Sequence, residues 1–181
     1  VVPHKTVLLT SFRPWLVHHV SNASDDLLAR LEAANLDFAD FVFLRQLPVE
    51  TAIASEKTIQ AIAQYQPDLV VCCGMAETRD RLTVESQAFE NNRSYQTSLD
   101  LAKLTASLRF TEVSNDAGKF VCEGLYFRVL QYLKTWRPQA AGLFLHVPLI
   151  TPENEIFIWQ DTIAMLRWLT QIESHKSGYD H

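Results

Sequence analysis

The sequence predicts a single α/β domain in three layers, a mostly parallel or mixed sheet with helices on both faces. Three observations carry this. Apolar runs of strand length alternate with segments of helical period along the chain, as in strands joined through helices. Two of those runs, Leu69 to Cys73 and Gly142 to Val147, are almost unbroken, as strands are when a sheet is covered on both sides. The 181 residues, 48% hydrophobic and 20% charged, suit one domain over 1–181 with a sizeable core. No internal repeat, linker or low-complexity stretch interrupts them.

Taken in order, Thr6 to Thr10 reads as the first strand, followed by a helix over Asp25 to Ala34. Leu27, Leu28 and Leu31 share one face of that helix, and Ser24 is a plausible N-cap. Phe41 to Leu44 reads as a second strand, and Thr51 to Gln64 as a helix. Pro67 to Gly74 is a buried strand ending in a glycine turn. Leu82 to Phe89 is expected to be a strand, Leu99 to Leu108 a helix, and Phe110 to Val113 a return to the sheet. A long helix over Val121 to Trp136, the buried strand Gly142 to Val147 and an amphipathic helix over Asp161 to Ile172 complete the domain.

Charge and length exclude several classes. A net charge of −5 argues against a general binder of nucleic acid or acidic membrane. The apolar runs are too short to span a bilayer, and no charged segment precedes a long apolar core as in a secretory signal. Cys72 and Cys73 are adjacent and Cys122 stands alone, so free thiols in a reducing, cytoplasmic setting are expected. No metal site is expected. His18-His19 and Cys72-Cys73 are adjacent pairs, whose side chains point apart on a strand, and such histidine pairs are usually surface turn residues.

Three residues could carry chemistry. Cys122 falls where a glycine-containing turn gives way to a helix, and the unpaired N–H groups there favour thiolate. Glu123 beside it pushes the other way, and a buried cysteine packing as a small hydrophobe has the same position. His146 ends a buried strand, the edge where α/β sheets collect ligand-handling groups. It is a base for a nearby thiol or a core histidine satisfied by backbone. Glu85, in a strand-like segment, is a residue to orient that imidazole or a solvated edge carboxylate. As a working triad, sulfur and ring nitrogen should lie within roughly 4 Å, with Glu85 at the other nitrogen.

These positions coincide with a known pattern. Val7-Leu-Leu-Thr-Ser-Phe-Arg-Pro-Trp15 is similar to the opening VLLTGFxPFGG of pyroglutamyl peptidase I, and Pro67 to Gly74 to its PDxxxxxG strand. Thr83-Val-Glu85 falls where that family's catalytic glutamate stands. Asp116 to Cys122 resembles TAGTFVC, and Leu145-His-Val-Pro148 resembles IHIPY, which hold the nucleophile and the histidine. The resemblance implies a cysteine peptidase that removes an N-terminal pyroglutamyl residue through a thioester, without metal or organic cofactor. Its substrate would be a small peptide or amide, and a homo-oligomer is compatible with it. Glu85, Cys122 and His146 would be catalytic. Phe12, Trp15, Phe120 and Val121 would line a pocket for the flat, uncharged lactam; core packing is the plain alternative for the aromatics.

The chain also departs from that pattern. Ser11 replaces the first glycine, and Leu16-Val17 the glycine pair, of the opening turn. Met75 to Arg79 lacks paired glycines, while Asp116, Lys119 and Glu123 replace threonine, threonine and asparagine. The long polar loop between glutamate and cysteine, with its ARIPDNxGxQ-like signature, is missing; Arg93 is the nearest arginine to it. A more open pocket with shifted or weakened substrate preference is therefore expected. The alternatives are an amidase or peptidase of altered specificity on the same triad, or a catalytically weak binding protein on the same fold.

Overall fold

The two longest apolar runs lie side by side in the middle of the sheet. The computed structural model describes residues 4–171. Its elements are β1 (Thr6–Phe12), α1 (Ala23–Ala33), β2 (Asp40–Leu47), α2 (Thr51–Tyr65), β3 (Leu69–Met75), β4 (Leu82–Glu85), β5 (Gln87–Glu90) and β6 (Arg93–Gln96). They continue with α3 (Leu101–Thr105), β7 (Thr111–Ser114), α4 (Val121–Trp136), β8 (Ala141–Val147) and α5 (Glu155–Gln171). A six-stranded sheet has the order β2-β1-β3-β8-β4-β7. Its pairs are parallel except β4 against β8. The expected mixed sheet with helices on both faces is what forms.

Side-chain alternation divides the core in two. Val7, Leu9, Val71, Leu143 and Leu145 face α1, α3 and α5, packing on Leu28, Leu104 and Met165. Leu8, Val70, Cys72 and Phe144 face α2 and α4, packing on Ile62, Leu125 and Val129. Central strands thus bury both faces, which is why their sequence shows no polar alternation. Among the described residues, no helix is long and apolar enough to cross a membrane.

α1 takes Asn22 and not Ser24 as its N-cap, because Asn22 Oδ1 accepts from Ser24 N at 3.0 Å, and three further elements differ from the sequence expectation. The strand expected over Leu82 to Phe89 breaks at Ser86. There the N–H donates to Ser114 O at 2.8 Å while the carbonyl accepts from Thr97 N. The chain leaves the main sheet, and β5 and β6 form a separate hairpin. Its turn is Asn91-Asn92, with φ of 47° and 62°, values that asparagine tolerates better than most residues. The helix expected over Leu99 to Leu108 shortens to Leu101–Thr105, where Asp100 accepts from Lys103 N as its cap. The last helix begins at Glu155, six residues before Asp161, because Thr151 O accepts from Glu155 N and Asn154 O from Ile158 N. Exposed Ile156 and Phe157 blur its amphipathic pattern at that end. Ile172 lies outside the described residues.

Asp161 has a structural task. Its carboxylate accepts from Arg109 N, Phe110 N and Thr111 Oγ1, at 3.2, 2.7 and 2.7 Å, and so ties α5 to the start of β7. Removing it leaves one buried and two part-buried donors without that partner, a buried one alone costing about 1–3 kcal/mol. Asp161→Ala is expected to cost about 3 kcal/mol, read as a lower urea midpoint at unchanged slope.

Candidate active site

The site lies at the carboxyl ends of β3 and β8, on the face covered by α4. β8 delivers His146, which is buried. β4, the antiparallel neighbour of β8, registers Thr83 opposite His146 and Glu85 opposite Phe144. Cross-strand partners share a face, so Glu85, Phe144 and His146 project to the same side. Glu85 Oε1 meets His146 Nδ1 at 2.8 Å, leaving Nε2 as the other ring nitrogen. Tyr126 on α4 donates its hydroxyl to Glu85 O at 2.9 Å and fixes that strand end.

Cys122 arrives from the opposite direction. After β7, Gly118 adopts φ of +92°, a left-handed conformation that costs glycine little. Its N–H donates to Asp116 Oδ1 at 2.9 Å. Phe120 is then the N-cap of α4, without a side-chain cap bond, and Cys122 is the second residue of the helix. Its sulfur rests on Gly74, where an added Cβ would come within 2.7 Å of Sγ and 2.9 Å of Phe144 Cζ. Gly74 is the register partner of His146. The thiol therefore lies over the strand pair that carries the imidazole, although no hydrogen bond joins the two.

An arginine completes the cluster. Arg79, in the segment after β3, donates Nη1 to Glu85 Oε1 at 2.6 Å and to Thr83 Oγ1. Its Nη2 donates to Asp116 O at 2.7 Å, binding the turn that precedes Cys122. One guanidinium thus spans the glutamate and the approach to the thiol. Sequence reasoning passed over Arg79 as part of a segment lacking glycines. Its signal was an arginine just before a buried carboxylate. Arg93 instead stands at the hairpin turn, paired in register with Glu90.

Electrostatics assign the resting protonation states. Burial favours the neutral acid at Glu85. Its hydrogen bond with His146, and the charges of His146 and Arg79, outweigh this and hold its pKa below the ordinary carboxylate value. At His146, burial lowers the pKa and Arg79 adds to that, against the pull of Glu85. Burial pushes the Cys122 thiol up to about 12, with Cys72 and Glu85 reinforcing it and Arg79 and the residue's own N–H opposing. The helix start was expected to favour thiolate; here desolvation is the larger effect. At neutral pH the trio is a neutral thiol, a neutral imidazole and an ionised glutamate. That arrangement suits general-base attack, in which the sulfur loses its proton only as it reacts.

The residues expected to line a pocket are dispersed. Phe12 is 2% exposed and packs in the core beneath the site, and Val121 packs partly buried against the same cluster. Trp15 and Phe120 are 54% and 77% exposed. Trp15 makes an edge contact with His19 at 6.1 Å. The β5–β6 hairpin docks along α4. Glu123 Oε1 accepts from Phe89 N at 3.0 Å, Arg128 pairs with Glu90 at 2.8 Å, and Tyr95 meets Phe127 edge-on at 5.0 Å. Glu123, which sits in the first turn of α4 where the helix dipole favours acid, thus serves as the hairpin's latch.

Comparison with known proteins agrees with this picture. Residues 5–94 match the model of the family described as pyroglutamyl peptidase. The pyrrolidone-carboxylate peptidase of Vibrio campbellii is 28% identical, over 89% of this chain and 86% of its own. That of Bacillus subtilis is also 28% identical, over 83% and 81%. The fold matches pyroglutamyl peptidase I from Bacillus amyloliquefaciens with a TM-score of 0.80 at 23% identity, covering 94% of this chain and 97% of that one. Pyrrolidone carboxyl peptidase from Thermococcus litoralis gives 0.76 at 23% identity, with 91% and 94% covered. In sequence the chain is similar to pyrrolidone-carboxylate peptidases, and in fold to pyroglutamyl peptidase I.

Proposed function

We propose that the chain is a cysteine exopeptidase that removes an N-terminal pyroglutamyl residue from peptides, with Cys122 as nucleophile, His146 as base and acid, and Glu85 as the residue that orients the imidazole. The buried Glu85–His146 hydrogen bond beside the thiol's resting place carries this reading. His146 Nε2 takes the thiol proton as Sγ attacks the pyroglutamyl carbonyl carbon. The oxyanion that forms faces the first-turn N–H groups of α4, an arrangement of donors suited to developing negative charge. As the C–N bond breaks, His146 returns the proton to the leaving amine, and a thioester remains on Cys122. Water then attacks the thioester carbon and gives its proton to His146. The C–S bond breaks, pyroglutamic acid leaves and the thiol is restored. Glu85 stays ionised throughout and stabilises the imidazolium formed in each half.

The same trio supports a second substrate class. Trp15 and Phe120 are too exposed to enclose a small ring, and the hairpin lies along α4. A cysteine amidase or peptidase with a wider substrate range is the reading this favours. A small lactam offers little binding energy unless enclosed, and misplacing the scissile carbonyl by about 1 Å can cost on the order of a hundredfold in rate. Pyroglutamyl amides are therefore expected to be hydrolysed roughly a hundredfold below a typical kcat/KM. Steady-state kinetics on pyroglutamyl and other N-terminal aminoacyl amides check this. Turnover of the pyroglutamyl substrate at full enzyme rate would refute the weakened pocket. Absence of turnover on every amide would refute the hydrolase.

A further inference from the structure

His18 and His19 do not point apart as strand neighbours would. Leu16 to His19 form a turn, closed by His19 N donating to Leu16 O at 2.9 Å. The turn brings the two imidazoles edge to face, with centroids 4.5 Å apart. Glu77, from the segment after β3, reaches the same place. Its Oε1 is in hydrogen-bonding contact with His19 Nε2, and its Oε2 lies 3.9 Å from His18 Nε2. One donor atom from each of the three residues falls within 4.8 Å of the others. The His19 side chain is 5% exposed, so packing holds its donor in place. Among the described residues, the ion pairs of Glu77 are both to histidine.

We propose that His18, His19 and Glu77 bind a divalent transition-metal ion of the zinc class, clipping the loop after β1 to the loop after β3 at the rim of the candidate active site. Two imidazole nitrogens and one carboxylate oxygen form a donor set that zinc takes with a fourth position open to water. Calcium and magnesium would ask for oxygen donors throughout. Ligands about 2.1 Å from a tetrahedral ion stand about 3.4 Å from one another. The present spread closes by rotation of the His18 ring, whose side chain is 68% exposed. Coordination through His19 Nε2 leaves its proton on Nδ1, so the contact donated there by Leu16 N, already long at 3.4 Å, opens on binding. A simple imidazole–carboxylate pair would need only His19. The arrival of His18 at the other carboxylate oxygen is what points to a shared cation. The proposal stands whether or not the chain hydrolyses amides.

The test titrates the full chain carrying Cys122→Ala, which removes the one partly exposed cysteine as a competing ligand. Calorimetry with Zn2+ should give one ion per chain at micromolar affinity. Glu77→Gln and His18→Ala, both at exposed positions, should each weaken it at least tenfold. Co2+ should produce the intense visible band of a four-coordinate site in the parent and not in Glu77→Gln. Zn2+ should also raise the melting temperature of the parent, while thermal melts without metal confirm that both variants fold. A parent that takes up no Zn2+ at micromolar concentration, or variants that bind as it does, would overturn the site.

Discussion

Cys122→Ala is expected to reduce amide hydrolysis to the background rate, a loss on the order of 10⁴-fold or more in kcat. His146→Ala should cost about as much, and the double variant no more than either single one. A thiol whose pKa stands at about 12 holds almost no thiolate at neutral pH. It has no independent reactivity to fall back on once the base is gone. Nucleophile and base therefore fail as one unit, and their losses do not add. Single-turnover mass spectrometry supplies the second readout. The wild-type chain should gain the mass of an acyl group on the peptide containing Cys122, and neither variant should. Near-full activity in Cys122→Ala would dismiss the thiol mechanism outright.

Arg79→Gln should be the next most damaging change, although Arg79 is assigned no contact with substrate. Its guanidinium shares Glu85 Oε1 with the His146 ring and, at 3.4 Å, the Thr83 hydroxyl, while Oε2 has no partner. Without it, a buried carboxylate keeps only the imidazole and one long hydroxyl contact. Breaking such a charge pair from one side costs about 3 kcal/mol, seen as a lower denaturation midpoint. The kinetic signature separates a positioning role from a merely structural one. Arg79 lowers the pKa of His146 and of Cys122. Its loss should raise both, moving the acid limb of kcat/KM, where His146 must be neutral, toward higher pH. At pH 7 kcat should fall roughly a hundredfold with KM little changed, since the loss concerns proton transfer. Alkylation of Cys122 by iodoacetamide should slow in parallel. Arg79→Lys should recover part of the rate, because it restores the charge without the two-pronged geometry. A variant with lowered stability but an unmoved pH profile would restrict Arg79 to holding the fold.

The sequence exposed those parts of the molecule whose physics is local. Leu69 to Cys73 and Gly142 to Val147 are apolar because both faces of the sheet are covered, and that composition is visible without coordinates. Cys122, His146 and Glu85 could be singled out because each ends or begins an element, where chains place reactive groups. What escaped depends on pairings distant in the chain. The break at Ser86 follows from hydrogen bonds to Ser114 and Thr97, which no window around Ser86 contains. Arg79 earns its place through the carbonyl of Asp116, far along the chain. The thiol's high pKa reflects burial against Gly74 and its surroundings, whereas the helix start that argued for thiolate is a local feature. The histidine pair falls in a turn, as such pairs usually do, but that the turn at Leu16 to His19 brings the two rings together is visible only in the fold.

The contact between Gly74 and the Cys122 sulfur has a consequence for how this site could change over generations. The space a methyl group at position 74 would need is occupied by Sγ at 2.7 Å and by the tip of Phe144. While the cysteine is present, Gly74→Ala must displace the thiol, the central strand or the aromatic ring. Once the cysteine is gone, the sulfur no longer stands in the way and only the ring has to yield. The two positions are epistatic, and the order of events matters. A lineage that first lost the thiol could then fill position 74 at modest cost. Restoring the cysteine afterwards would bring sulfur back into occupied space. Loss of the thiol thus opens a ratchet, in which the first later substitution at the neighbouring glycine makes the return path steeper than the departure.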